Sequence, residues 1–192
     1  MVALFEHNST VYIHNGLIFN GTLFIPKDYP YVVSIRIKLQ KDTDYNICTG
    51  SLLNKFLVLT AGHCCYRHQA NKIQVCQGSR YKDQNYDHET DWHNVSKMYV
   101  HEKYDPGIHN QEPEHDDICL LKVAKTFPNI TKFSKFGGSP NDFANGKKLS
   151  CTIIGFGSIA DARDSSSDNG LFGRITTVDV LHGEKACLKP SP

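Results

Sequence analysis

An imidazole and a carboxylate, each beside an apolar run, are the side chains of this sequence best suited to chemistry. His63 lies in Leu59-Thr60-Ala61-Gly62-His63-Cys64, and Asp117 opens Asp117-Ile118-Cys119-Leu120-Leu121. A hydroxyl is a poor nucleophile at neutral pH unless an imidazole takes its proton. The imidazole in turn needs a carboxylate to fix its tautomer and stabilise its charged form. His63 and Asp117 are of the right types for those two roles. The third group, a nucleophilic serine in a Gly-Asp-Ser-Gly-like turn, occurs nowhere in the 192 residues.

Holding two such groups together calls for strands. The apolar segments are short and separated by polar turns, the rhythm of an antiparallel barrel. Residues 31–37 partly alternate and are rich in β-branched side chains, 56–59 form a continuous apolar run, and 73–76 alternate again. Segments 95–100 and 118–123 complete a first set of strands. After a passage bearing Pro, Asn and Gly at 127–147, segments 149–154 and 173–181 form a second. No stretch sustains a 3.6-residue period, and only 183–188 has the makings of a short helix. His63 follows the buried run 56–59 directly, which separates it from the other nine of the ten histidines. Asp116 and Glu114 also stand near the fifth strand, but spacing and the residues that follow favour Asp117 as the orienting carboxylate.

Composition narrows the function classes. Acidic and basic residues nearly balance, with a formal charge of +1, which gives no reason to propose nucleic acid or an acidic membrane as partner. No apolar run approaches the ~18 residues of a membrane span. The first residues lack the basic region and apolar core of a signal peptide. Seven cysteines, with Asn-x-Ser/Thr acceptors at Asn8, Asn20, Asn94 and Asn129, nevertheless favour an extracellular, oxidised and glycosylated protein. His109, His115 and the acidic stretch 112–117 match no zinc spacing, and the carboxylates of Asp83, Asp87 and Glu89 form no convincing calcium pattern. No metal and no cofactor is expected.

The run from Cys48-Thr49-Gly50-Ser51-Leu52-Leu53 through Thr60-Ala61-Gly62-His63-Cys64 resembles the chymotrypsin/trypsin-like serine proteases. Ile18-Phe19-Asn20-Gly21 is similar to that family's mature amino terminus, Val100 to Asp105 to the segment ahead of the triad aspartate, and Cys151 to Gly157 to the opening strand of its second barrel. The resemblance implies an all-β double antiparallel barrel whose second barrel is incomplete. Residues 1–17 would be a short pro-segment or leader remnant, and 18–192 the protease-type domain. The first barrel would span about 18–125 and the partial second about 145–192. It makes His63 the general base, Asp117 its orienting carboxylate and Ile18 the activation terminus. It pairs Cys48 with Cys64, and Cys76 stands as the candidate partner of Cys65 across a short loop. Cys119 reads as a buried thiol serving as a small hydrophobe. A Cys119–His63 thiol protease would need the sulfur on the other side of the imidazole. Cys151 and Cys187 match half-cystines whose family partners would lie beyond residue 192.

The departures from the family are specific. Leu17, where a basic residue normally directs the activating cut, precedes Ile18. The segment that would carry the nucleophile, the oxyanion-hole amides and the specificity pocket is expected beyond residue 192, so these residues alone are not expected to cleave peptide bonds. Gly137-Gly138-Ser139-Pro140 and Ser165 to Ser167 read as loops rather than substitute nucleophiles. The sequence therefore points to a secreted serine endopeptidase acting on polypeptides. Its alternative is a non-catalytic homologue that binds a protein partner.

Overall fold

The computed structural model describes residues 2–5, 18, 21–39, 45–77, 92–107, 115–137, 148–156 and 173–181. The strands are β1 (Val2–Phe5), β2 (Thr22–Leu23), β3 (Val32–Lys38), β4 (Tyr45–Leu52), β5 (Leu57–Thr60), β6 (Ile73–Gln77), β7 (Trp92–Val100), β8 (Cys119–Val123), β9 (Lys148–Gly155) and β10 (Arg174–Leu181), with one 3-10 turn at Ala70–Lys72. Seven of them overlie the seven segments expected from the sequence. The short helix expected at 183–188 lies outside the described residues.

Six strands close into a barrel in the order β3-β4-β5-β8-β7-β6. Closure leaves no unpaired edge, and the alternating side chains fill the interior. Ile35, Ile37, Leu52, Val58, Ile73 and Leu121 pack there with almost no solvent contact. β4 is not among the seven segments, and Thr49, Gly50 and Ser51 interrupt its apolar pattern. Its pairing with β3 and β5 explains those residues. A Cβ on Gly50 would stand 2.6 Å from Val58 Cγ1 and 2.8 Å from Ile35 Cδ1, so the barrel leaves no room for a side chain there. Thr49 and Thr60 are polar yet buried because the Thr60 hydroxyl donates to the Thr49 carbonyl at 2.9 Å.

The second set of strands forms a four-stranded sheet, β1-β9-β10-β2. β9 and β10 pair in register from Arg174–Gly155 to Leu181–Lys148. β1, from the segment read as a leader remnant, pairs with β9 from Val2–Ile154 to Phe5–Cys151. Phe24, Val32, Ile154 and Phe156 form an apolar cluster joining this sheet to barrel strand β3, with the Phe24 and Phe156 rings edge to face at 5.7 Å. The Phe156 N–H also donates to the Thr49 hydroxyl at 3.0 Å, tying the end of β9 to β4.

Candidate active site

His63 sits in the turn that follows β5, and Asp117 lies two residues before β8. β5 and β8 are antiparallel neighbours, with Thr60 opposite Cys119, so the end of one strand meets the start of the other. The turn is tightened by bonds from the Cys65 and Tyr66 N–H groups to the Gly62 carbonyl, at 2.9 and 2.8 Å. Gly62 is closely packed, and a side chain there would push on its neighbours. A Cβ there would stand 3.0 Å from the Tyr104 ring and 3.1 Å from Asp117 Oδ1.

Asp117 grips His63 twice. Oδ1 accepts from the His63 backbone N–H at 2.7 Å, and Oδ2 lies 2.8 Å from the ring Nδ1. An ionised carboxylate only accepts, so the proton of this contact belongs on Nδ1 and the lone pair on Nε2. Partial burial pushes the Asp117 carboxyl up. The hydrogen bonds from the His63 backbone and ring, the charge interaction with His63 and a backbone bond from Gly62 together outweigh it and hold the pKa below its ordinary value. The side chains are 52% exposed for His63 and 28% for Asp117, so the imidazole is open to a reactant.

Segment 101–105, which the resemblance places ahead of the aspartate, packs over this turn. Tyr104 lies against Gly62 and meets Tyr66 edge to face at 5.3 Å, and the His101 N–H donates to the Ile118 carbonyl at 2.9 Å. Asp116 adopts a left-handed backbone (φ 53°) and stands 3.8 Å from His101 Nδ1, too far for a hydrogen bond.

The structure joins Cys48 to Cys64. The Cys65–Cys76 pairing is overturned: Cys65 is bonded to Cys119, which is therefore no thiol either. Barrel order is the reason. Cys65 follows β5, whose neighbours are β4 and β8, whereas Cys76 lies on β6 between β3 and β7. Cys76 is buried as a thiol. Cys151 is buried too, and that burial, followed by the Asp179 carboxylate, pushes its thiol pKa up. Cys48, His63 and Cys64 bring three potential metal ligands together, but the two sulfurs are bonded to each other, so neither offers a thiolate.

Ile18 is buried with Cys151, Ile153 and Val178 against the second sheet. Asn129 is exposed in a turn between the buried Phe127 and Ile130. Asn94, exposed on β7, accepts through Oδ1 from the Gln74 side chain at 2.8 Å. Asn8, Asn20, Leu17, Cys187, Ser139 and Ser165 to Ser167 lie outside the described residues, as do His109 and the carboxylates of Asp83, Asp87 and Glu89. Sequence reasoning placed Gly62 and Tyr104 in motifs without their packing role, and missed the Cys65–Cys119 bond. The bond had a signal: each of these cysteines stands two residues after a member of the His63–Asp117 pair.

The family model described as Trypsin matches residues 18–186. The chain belongs to the trypsin family. This trypsin-family chain is 31% identical over 141 residues to the venom peptide isomerase heavy chain of Agelenopsis aperta, covering 69% of the chain and 52% of that protein. It is 32% identical over 110 residues to hypodermin-A of Hypoderma lineatum, covering 57% of the chain and 37% of the relative. With alkaline trypsin C of Manduca sexta it shares 24% identity over 151 residues, covering 78% and 55%. It thus spans about half the length of such curated relatives. The HL collagenase structure superposes with a TM-score of 0.66 at 22% identity, over 91% of this chain and 68% of that one. That likeness establishes the chymotrypsin-like fold.

Proposed function

We propose that this trypsin-family chain supplies the base and orienting carboxylate of a secreted serine endopeptidase. The observation that carries the reading is the double grip of Asp117 on the backbone and ring of His63. With Nδ1–H directed to Asp117, Nε2 is the nitrogen that takes the proton of a serine hydroxyl and later returns it to the leaving amine. Asp117 holds the tautomer and stabilises the imidazolium between those steps. No Gly-Asp-Ser-Gly turn occurs in the 192 residues, so the nucleophile is supplied from outside them and these residues alone do not cleave peptide bonds. Ile18 is the candidate activation terminus. It is seated on the second sheet within the continuous chain, so using its amine after a cut would require backbone there to move. The two disulfides and the kinship with a venom protein support an extracellular site of action, with Asn94 and Asn129 as exposed glycan acceptors.

A fluorophosphonate probe, which reacts only with an activated serine, tests the reading. The protein isolated from its natural source is expected to label at a serine outside these residues, and the 192-residue chain is expected to stay unlabelled. An unlabelled native protein that still binds a protein partner would favour the non-catalytic homologue instead.

A further inference from the structure

We propose that the Cys65–Cys119 disulfide is a positioning crosslink that holds His63 and Asp117 in register, which rests on reading that pair as base and orienting carboxylate. Cys65 stands two residues after His63, and Cys119 two after Asp117. Both are wholly buried, with Cα atoms 6.6 Å apart. The β5–β8 ladder ends at Thr60–Cys119. Past that point one chain enters the turn bearing His63. The other passes through a tight bend, with Asp116 left-handed and the Ile118 N–H donating to the Asp116 carbonyl at 2.7 Å.

No strand ladder joins these two turns among the described residues. The Asp117 carboxylate bridges them, and His63 is half exposed, so water competes for its ring contact. The disulfide closes the same gap from the buried side. Cys48–Cys64 acts on the other flank, because Cys48 belongs to β4. Adjacent half-cystines thereby fasten the imidazole's turn to both strands that flank β5. The carboxylate meets the ring because covalent bonds place it there, and the geometry does not depend on the strength of a solvent-washed ion pair.

Proton NMR of the 192-residue chain tests this. A His Nδ1–H held by a carboxylate gives a separate low-field resonance while its exchange with water is slow. The oxidised wild type is expected to show it. In Cys65→Ala/Cys119→Ala, with dispersed methyl shifts as the check on folding, its exchange is expected to rise about tenfold or more and broaden the signal away. Ile73→Ala, which empties a core position on β6, is expected to keep the signal despite its lower Tm. Unchanged exchange in the double variant overturns the proposal, and so does equal loss in Ile73→Ala.

Should the double variant not fold, wild-type protein reduced stepwise with a phosphine, trapped and mapped by mass gives the same decision. Loss of the signal when the Cys65–Cys119 bond opens supports the crosslink, and persistence overturns it. A signal missing from the oxidised wild type overturns both the crosslink and the base–carboxylate reading. A signal kept without the disulfide overturns the crosslink alone.

Discussion

In the barrel each of the six strands has a hydrogen-bonded neighbour on both sides, and two disulfides fasten the turn that carries His63 to β4 and β8. In the second sheet β9 and β10 are 8 residues each, but their outer neighbours are strands of 4 and 2 residues. Neither disulfide among the described residues reaches that sheet, and Cys151 within it is a thiol. Two regions of one chain, both rich in buried β-branched side chains, thus stand at opposite ends of closure. His63 and Asp117, the candidate base and carboxylate, both lie in turns at the ends of barrel strands, after β5 and before β8. The second sheet contributes the seat of Ile18 and the cluster around Phe156.

The largest expected effect tests whether the barrel carries the base. In the protein that includes the nucleophile, His63→Ala should lower kcat for peptide hydrolysis by about 10⁶-fold. Asp117→Asn should lower it by about 10⁴-fold through the wrong ring tautomer, with the fold retained. Losses of less than tenfold would place the base elsewhere.

Removing the crosslinks should weaken the barrel. Opening a loop of 54 residues by Cys65→Ala/Cys119→Ala should cost roughly 4 kcal/mol, against roughly 3 kcal/mol for the 16-residue loop opened by Cys48→Ala/Cys64→Ala. Trp92 is the single tryptophan of the chain and is buried on β7, so its fluorescence during urea unfolding reports on the barrel. The reverse order of the two losses would mean that native-state strain, rather than loop entropy, dominates.

Hydrogen exchange compares the two regions directly. Amides of β5 and β8 should be protected about tenfold or more above those of β10 from Thr176 onward, where the described ladder runs to β9 only. Equal protection would show that the two regions open as one cooperative unit.

The smallest effect is the pH dependence of the carboxylate. The folded pKa of Asp117 lies below its unfolded value of about 4. Its contribution is therefore complete above that value and is lost as pH falls through the folded pKa. Asp117→Asn should flatten the acid limb of the stability profile below pH ~4, measured by urea titrations at stepped pH. An unchanged limb would assign the acid sensitivity to other carboxylates.

Much of this was legible in the residues. Runs such as Val32 to Ile37 and Leu120 to Val123 announce strands because a pleated, half-buried surface selects β-branched and apolar side chains. β4 carries a weak local signal because Thr49, Gly50 and Ser51 are polar or small. Gly50 is in place because of what packs over it, the side chains of Val58 and Ile35. β1 was illegible because pairing with β9 joins segments about 150 positions apart, a separation that no local pattern reports. Gly62 read as part of a motif, but its tight packing comes from Tyr104 and Asp117 closing on it from outside the turn.

The sequence by itself determined the strand-rich class, the candidate base and carboxylate, and the pairing of Cys48 with Cys64 that the family resemblance implied. The strand-rich class and the two candidates depend on residue types and short spacings, which are local properties, and the pairing depends on the resemblance. Only the tertiary structure decided which strand each cysteine meets. Cys65 and Cys76 are near in sequence, yet barrel order puts β8 rather than β6 beside β5 and sends Cys65 to Cys119. Neighbour relations in a closed sheet follow from how all six strands pack at once, and no segment encodes them alone.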